Sequence, residues 1–306
     1  MYNSAFYKLS ARETLKNNYW AALICAIVCV VPSYFTAKLG LVAVSFGLIP
    51  DWCVRLLSAV VQIFVINILT VGFIRFLIKL APREESGLSG YDYNLIFSGY
   101  KENFWGTLTT TFMRQLKIFL WSMLAAAPTL LAAVLIAALV PQGALEALLR
   151  QWLAAAMQPS DGNILLLADV LERTIPHISV YMLIWLASTV LLIIPLIRKT
   201  YLYSMISFII AAYPDISGKR AFKRSYDIMF GYRMRYFLVQ LSFLGFLFLI
   251  YIVYIYSGSL ILYCLANAAL MPYQYMTYYH FFKQRNETIE YNIEKYGETE
   301  KRESAL

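Results

Sequence analysis

Six long runs of apolar residues are the clearest pattern in the sequence. Each is close to the roughly 20 helical residues that cross a hydrocarbon core of about 30 Å, and none contains Asp or Glu. The runs lie at about 20–38, 57–78, 117–140, 179–197, 236–256 and 260–282. The pattern therefore predicts an all-α, polytopic transmembrane helical bundle with six spans.

Composition supports a membrane protein over a soluble one. Of the 306 residues, 60% are hydrophobic and only 14% are charged, which is far more apolar than a soluble domain needs. About 18 mostly polar or amphipathic residues precede the first run, and five further runs follow it. We expect the first run to remain as an anchor and not to be a cleaved signal peptide.

The basic residues predict the orientation. With the N-terminus inside, all but four of the 26 lysines and arginines fall on the inner side, as cytoplasmic loops require. The exceptions are Lys38, Arg55, Arg150 and Arg173. Both termini are therefore expected in the cytoplasm. The net charge of +8 indicates orientation and no nucleic-acid partner, because the bases flank spans and form no separate basic domain.

The runs divide the chain into one membrane domain, 1–282, and a charged cytoplasmic tail, 283–306. An amphipathic insertion on the outer side is expected at about 141–178, where apolar and charged positions alternate with helical spacing. The stretch 201–214 is too short to span. It predicts a helix along the inner interface or an oblique continuation of the fourth span past Pro195. In the tail, a short helix before a disordered end is expected.

A short motif recurs at the start of three apolar stretches: KNNYW at 16–20, KENFW at 101–105 and RMRYF at 233–237. Each gives a base, two intervening residues and two aromatic residues. A potential short amphipathic helix precedes each copy; the third begins after Ser217 as a candidate N-cap and ends at Gly231. The repeated unit predicts an amphipathic interfacial helix, a turn and then a span.

Two interpretations of this unit stay open. It can simply anchor each span at the interface, or it can recognise anionic lipid headgroups, which attract bases at about 1 kcal/mol each. The candidate headgroup residues are Lys8, Arg12, Lys16, Tyr19, Trp20, Lys101, Phe104, Trp105, Lys219, Arg220, Lys223, Arg224, Arg233, Arg235 and Tyr236.

Three segments carry a family resemblance: ARETLKNNYW near the start, LIFSGYKENFWGTL in the middle, and residues 193–248, which begin IIPLIRKTYLYSM. They resemble a bacterial integral-membrane family, domain of unknown function 975, which is similar to the membrane domain of some glycerophosphodiester phosphodiesterases. The resemblance implies a multi-span protein with interfacial elements in a bacterial cytoplasmic membrane. It implies no activity.

Catalytic and metal-binding patterns are missing from the sequence. His177 and His280 are predicted on opposite sides of the membrane, and the four cysteines have no metal-ligand spacing. There is no phosphate-binding glycine loop, nucleophile elbow or carboxylate pair. We therefore expect a protein that is not an enzyme and that uses no cofactor.

Neutral polar residues within the predicted spans are a second candidate set. They are Gln62, Asn67, Thr70, Gln240, Asn267 and Gln274. Such side chains hold helices together or line a path for a substrate. Pro32, Pro128, Pro195 and Pro272 can kink or break four spans, which would expose backbone groups along such a path.

The sequence thus favours a non-enzymatic, multi-pass membrane protein that interacts with lipid or is a subunit of a membrane complex. The alternative is a facilitator, channel or flippase for an uncharged or amphipathic molecule. Membrane lipids with anionic headgroups are the expected partners, and a membrane-protein partner or a second copy of the chain are further candidates.

Overall fold

The computed structural model describes residues 4–45, 50–81, 91–139 and 178–303. Every regular element in these ranges is helical, and they contain no strand. The predicted all-α class is confirmed for this part of the chain. The predicted outer insertion, about 141–178, lies outside the described residues apart from its last position.

The helices vary from four to 44 residues in length. They are α1 (Ser4–Leu15), α2 (Tyr19–Ser45), α3 (Asp51–Val61), α4 (Asn67–Leu80), α5 (Ser98–Lys101), α6 (Phe104–Leu139), α7 (Ile178–Leu202), α8 (Ile206–Ala212), α9 (Gly218–Met229), α10 (Arg233–Leu241), α11 (Leu244–Ser257) and α12 (Leu260–Glu303). A π-helical segment, Gln62–Ile66, joins α3 to α4, and a 3-10 turn, Tyr93–Phe97, precedes α5.

Within the described residues, five helical stretches are long and apolar enough to cross a membrane. They are Tyr19–Gly40, Cys53–Leu80, Phe104–Ala132, Val180–Ala212 and Arg233–Ser257. The sixth predicted run, 260–282, begins α12 but is not among them. Asn267, Pro272 and Gln274 reduce its hydropathy. Five of the six predicted spans therefore have a described helix that is both long enough and apolar enough to cross a membrane.

The four prolines were expected to kink or break their spans, and none of them breaks its helix. Pro32, Pro128, Pro195 and Pro272 all lie inside continuous helices. The chain instead leaves helical geometry at 203–205 and at Ser242–Phe243.

The tail differs from the sequence prediction, because α12 continues without a break to Glu303. The expected short helix and disordered end are therefore wrong up to that residue.

The chain forms two compact units. The first comprises Met1–Gln115 and Tyr201–Leu306, and the second Leu116–Thr200. In the first unit, α12 packs against α1, α2, α4, α9 and α11. Its residue Phe281 is fully buried and contacts the rings of Tyr236 and Tyr7, at 5.2 and 5.5 Å between ring centroids. This aromatic packing fixes α1 and α10 beside α12.

The stretch 201–214 lies in the core of the first unit. Met205, Ile206 and Ile209 of this stretch are fully buried, and α8 packs against α4. Residues 206–211 are all buried, so α8 presents no free face of its own to solvent or headgroups. α7 continues past Pro195 to Leu202, shortly before α8 begins. A position along the inner interface and an oblique continuation of the fourth span both remain predictions for this stretch.

The second unit exposes much of its apolar surface. Leu183, Leu191 and Ile194 of α7 are exposed, as lipid-facing positions of a membrane helix are. Near the end of α7, the Lys199 ammonium lies 5.4 Å from the centre of the Trp121 ring. A cation over an indole is stabilising, and both residue types favour the membrane interface.

Two irregular points of the backbone have side-chain donors from elsewhere in the chain. At the break between α10 and α11, Lys8 Nζ donates to the Ser242 carbonyl at 2.9 Å and lies 4.5 Å from the Phe243 ring centre. At the π-helical segment, the Tyr100 hydroxyl donates to the Phe64 carbonyl at 2.9 Å. Both contacts supply partners to carbonyls that lose regular helical bonding.

Arg75 of α4 donates hydrogen bonds to backbone carbonyls at the end of α8. Its Nε and Nη2 donate to the carbonyls of Ala211 and Ile210, at 3.2 and 3.4 Å. Its Nη1 pairs with Glu102 at 2.8 Å. Arg75 is buried, but each of its three nitrogens has a partner, so its charge is compensated within the chain.

Close backbone packing holds the segment before α6 against α4. A Cβ atom on Gly72 would lie 1.8 Å from the Ile96 carbonyl oxygen. No side chain can fit there without moving one of the two backbones. The glycine therefore lets the 3-10 turn approach α4.

We predict that Gly72→Ala lowers the stability of the protein, because the added methyl group overlaps a backbone atom. The expected loss is about 1–3 kcal/mol, measured as a fall in Tm in mild detergent. Gly245→Ala is the matched control, since nothing lies within 4 Å of a Cβ there and alanine favours a helix by about 0.5–1 kcal/mol. Equal Tm values for the two variants would contradict the close approach.

Candidate functional site

Several residues that were predicted to contact lipid headgroups instead make contacts within the protein. Lys8 bonds the Ser242 carbonyl, and the Tyr19 hydroxyl donates to the Ala269 carbonyl at 2.8 Å. Tyr236 is buried. These three side chains therefore stabilise the packing of α1, α2 and α10, and they present little to a headgroup.

Arg224 belongs to a hydrogen-bonded group that joins α9 to α12. Its Nε donates to Asn286 Oδ1 at 2.9 Å, and its Nη2 pairs with Glu290. Tyr213 completes the group, donating to Glu290 at 2.7 Å and accepting from Asn286 at 3.0 Å. We call these four residues the polar tether.

Most of the remaining candidates are exposed. The exposed residues are Arg12, Lys16, Trp20, Lys101, Trp105, Lys219, Arg220 and Lys223. Phe104, Arg233 and Arg235 are partly buried. The tryptophans of the first two motif copies are thus free to lie at a headgroup level, whereas the third copy is partly packed.

Four of the intramembrane polar candidates are hydrogen-bonded within the chain. Thr70 and Asn267 donate to carbonyls one turn earlier in their own helices, and Gln274 donates to the Tyr278 hydroxyl at 2.8 Å. Gln240 hydrogen-bonds Tyr236, whose ring packs on Tyr278. Gln240 and Gln274 are therefore linked through the contact between Tyr236 and Tyr278.

Two candidates remain. Gln62 is exposed, and Asn67 is buried with no partner for Nδ2.

Arginines converge on Tyr232, at the start of the fifth membrane-crossing candidate. Gly231 has a positive φ of 73°, which a turn of this kind needs and glycine adopts without strain. The turn places Tyr232 at the N-cap of α10 and Arg233 and Arg235 in its first turn. From α12, Arg285 lies with its guanidinium carbon 3.4 Å from the Tyr232 ring centre. Arg235 lies 5.0 Å from the same ring.

We call Tyr232, Arg233, Arg235 and Arg285 the arginine cluster. The Nε atoms of Arg233 and Arg285 are shut off from solvent and have no hydrogen-bond partner. No acidic side chain in the described ranges forms an ion pair with either residue. Arg233 and Arg285 thus each have a buried donor that the described residues do not use.

The surroundings make this charge costly without an anion. Burial lowers the pKa of Arg285, and the nearby Arg235 charge lowers that pKa as well, while Tyr232 and Tyr7 raise it. Arg233 and Arg235 also lie at a helix N-terminus, where the helix dipole favours negative charge. A phosphate or carboxylate group would relieve the repulsion and occupy the unused N–H donors.

A cleft of about 540 Å³ beside α9 is the other candidate. The charged residues of its lining are Asp215, Arg220, Lys223, Arg224 and Asp227. Arg224 already pairs with Glu290, and the two aspartates balance the two remaining bases. The cleft has no net positive charge to attract an anion, so the arginine cluster is the better candidate site.

Sequence reasoning missed Arg285, because that residue lies beyond the last apolar run and was assigned to the tail. It also missed Arg75, although Arg75 lies inside the predicted second span, where an ionisable residue is itself a signal of function or of a specific partner. The described residues contain no group of three or more His, Cys, Asp or Glu side chains that could hold a metal ion.

Comparison with known proteins gives one match. The model of a family described as "Protein of unknown function (DUF975)" matches residues 1–288. No curated protein and no solved structure matches the sequence. The matched region includes all four residues of the arginine cluster.

We predict that the polar tether makes stability depend on pH. Its hydrogen bond from Tyr213, followed by Arg224, lowers the pKa of Glu290 below its ordinary value of 4.5. The tether therefore stabilises the fold fully above about pH 4.5 and loses this contribution as the pH falls through the lowered pKa. Tm measured from pH 7 to pH 3 should fall more steeply for the wild type than for Glu290→Gln.

The matched control is Glu287→Gln, on the preceding turn of α12, where the carboxylate lies 4.0 Å from Lys283 in an exposed pair. This variant should keep the wild-type profile. Identical pH profiles for Glu290→Gln and the wild type would contradict a role of Glu290 in the tether.

Proposed function

The chain belongs to the DUF975 protein family, and we propose that it is a six-span protein of the bacterial cytoplasmic membrane that binds anionic lipid headgroups and catalyses no reaction. Five helical stretches of the described residues that are long and apolar enough to cross a membrane support this setting. In the proposed topology the first part of α12 is the sixth span and both termini are cytoplasmic. All three arginines of the cluster then lie at the inner ends of spans five and six.

One observation carries the proposal: Arg233 and Arg285 each hold a buried Nε with no partner. A buried donor without a partner costs about 1–3 kcal/mol, and more for a charged group. A headgroup phosphate has several acceptor oxygens and a negative charge, so it removes both the orphan donors and the repulsion between guanidinium groups.

The membrane itself supplies such groups at the inner interface. Anionic lipids attract each nearby base by about 1 kcal/mol, and charge-assisted hydrogen bonds add about 1.5–3 kcal/mol each. Exposed bases such as Lys219 and Arg220 contribute the general attraction only. The partly buried arginines of the cluster contribute directed hydrogen bonds, so they favour retention of individual lipids.

The hydrogen bonds of Asn267 and Gln274 support a role in helix packing at these two positions over a path for a substrate. Asn267 donates within its own helix, and Gln274 donates to a tyrosine one turn away. Side chains that are occupied in this way hold helices together. A path for a substrate would need unoccupied polar groups facing one another.

We predict that the double variant Arg233→Gln/Arg285→Gln retains fewer anionic lipids than the wild type. Glutamine keeps much of the side-chain length and removes the charge that the phosphate compensates. The measurement is native mass spectrometry of protein released from nanodiscs that contain phosphatidylglycerol and phosphatidylethanolamine in equal amounts. The loss of two charge-assisted contacts should weaken retention of phosphatidylglycerol by on the order of 10-fold or more.

The matched control is Lys219→Gln/Arg220→Gln, which removes the same charge from the exposed face of α9. This variant should retain tightly bound phosphatidylglycerol. Equal losses for the two double variants would show a diffuse attraction by surface charge, and retention unchanged in both would exclude the cluster as a lipid site.

We predict that single cysteines at 219 and 283 lie on one side of the membrane and a cysteine at 256 on the other. The background replaces Cys25, Cys29, Cys53 and Cys264 with alanine. The measurement is labelling by a membrane-impermeant maleimide in right-side-out vesicles, where Tyr256→Cys should react and Lys219→Cys and Lys283→Cys should not. If Lys283→Cys reacts together with Tyr256→Cys, α12 does not cross and the six-span topology is wrong.

A further inference from the structure

A second arginine in the first unit lacks a charge partner. Arg114 lies in α6 on the same side as Thr107 and Thr111, which are buried. Its Nη1 donates to the hydroxyl of Ser207 in α8, at 2.5 Å. Ser207 is neutral and itself buried, so it supplies a hydrogen bond but no compensating charge.

The unused edge of Arg114 has a defined geometry. Nε and Nη2 form the side edge of a guanidinium, with two parallel N–H groups that fit two oxygens of one oxyanion. Nε is shut off from solvent and has no hydrogen-bond partner. The contact to Ser207 uses Nη1, and no hydrogen bond within the described residues involves Nη2. The edge that fits an oxyanion therefore has no hydrogen-bond partner within the described residues.

Arg75 shows how the same fold compensates a structural arginine. Its Nε and Nη2 hold the two carbonyls at the end of α8, and its Nη1 holds Glu102. Both arginines thus contact α8, but Arg75 has every nitrogen occupied and a carboxylate beside it. No ion pair within the described ranges involves Arg114. Arg75 therefore completes the fold, whereas Arg114 keeps donors that the described residues do not use.

We propose that Arg114 and Ser207 form a binding site for a phosphate-type oxyanion, held through the Nε and Nη2 edge of Arg114. The Ser207 hydroxyl fixes the guanidinium and keeps that edge available. Phosphate suits this edge because its charge compensates the arginine and its tetrahedral oxygens include a pair at the right spacing. The group can be inorganic phosphate or the headgroup of an anionic lipid, since both present the same oxygens.

This site shares no residue with the arginine cluster, so it does not depend on the proposed function. Loss of binding in Arg114 variants leaves the cluster intact, and neutralising Arg233 and Arg285 leaves Arg114 intact. The two hypotheses can therefore fail separately.

The test compares wild type, Arg114→Met and Arg75→Met in thermal unfolding of the full chain. Methionine approximates the length of the arginine stem without its charge. One series adds inorganic phosphate in detergent, with chloride at matched ionic strength as the reference. A second series places the protein in nanodiscs of phosphatidylglycerol or of phosphatidylcholine.

The proposal predicts a wild-type Tm that rises with phosphate or with phosphatidylglycerol, and no such rise for Arg114→Met. A response to phosphate in detergent identifies a free anion, and a response to phosphatidylglycerol alone identifies a headgroup. Without either anion, Arg114→Met should be as stable as the wild type or more stable, because it removes an uncompensated charge. Arg75→Met should have a lower Tm under every condition.

Arg114→Lys provides a variant that keeps the charge but lacks the forked edge. It should fold and bind phosphate on the order of 10- to 100-fold more weakly than the wild type. The proposal is wrong if the wild type responds to neither anion, or if Arg114→Met responds as the wild type does. It is also wrong if Arg114→Met loses as much stability as Arg75→Met, because Arg114 is then a structural residue of the fold in the same way as Arg75.

Discussion

Backbone carbonyls that leave regular helical bonding must find donors, and the first compact unit is organised around this constraint. In an apolar environment water cannot supply those donors. Lys8 donates to a carbonyl at the break between α10 and α11. Tyr100 donates to one in the π-helical segment, and Arg75 to one at the end of α8. Each donor comes from a different part of the chain. The contacts that permit irregular backbone therefore also join α1, α5 and α4 to their neighbours.

The same constraint divides the basic residues into two groups. Those with occupied nitrogens, such as Arg75 and Arg224, complete the fold. Those with a buried Nε that has no partner, such as Arg233, Arg285 and Arg114, keep a donor that the described residues do not use. Because an unpaired buried charge is costly, the second group is where ligands are expected. A membrane rich in phosphate headgroups is the nearest source of the missing anions.

The sequence predicted features that depend on local pattern. The all-helical class and the turn at Gly231 follow from runs of apolar residues and from one glycine, and the structure has both. Partners of single side chains depend on tertiary packing, which no local pattern records. Lys8 was predicted as a headgroup residue, yet it turns inward to Ser242. Arg285 followed the last span by three residues and returns to Tyr232 only because α12 packs beside α10 and α1.

The most direct test of the account is a cryo-electron microscopy structure in nanodiscs containing phosphatidylglycerol, with a rigid antibody fragment bound for alignment. If the arginine cluster binds lipid headgroups, phosphate density lies within about 3 Å of Nε of Arg233 and Arg285. Arg75 should keep its contacts to Glu102 and the end of α8, with no lipid beside it. Carboxylates of the chain on both arginines, or lipid density that avoids the cluster, would contradict the claim that unpartnered guanidinium groups mark the binding site.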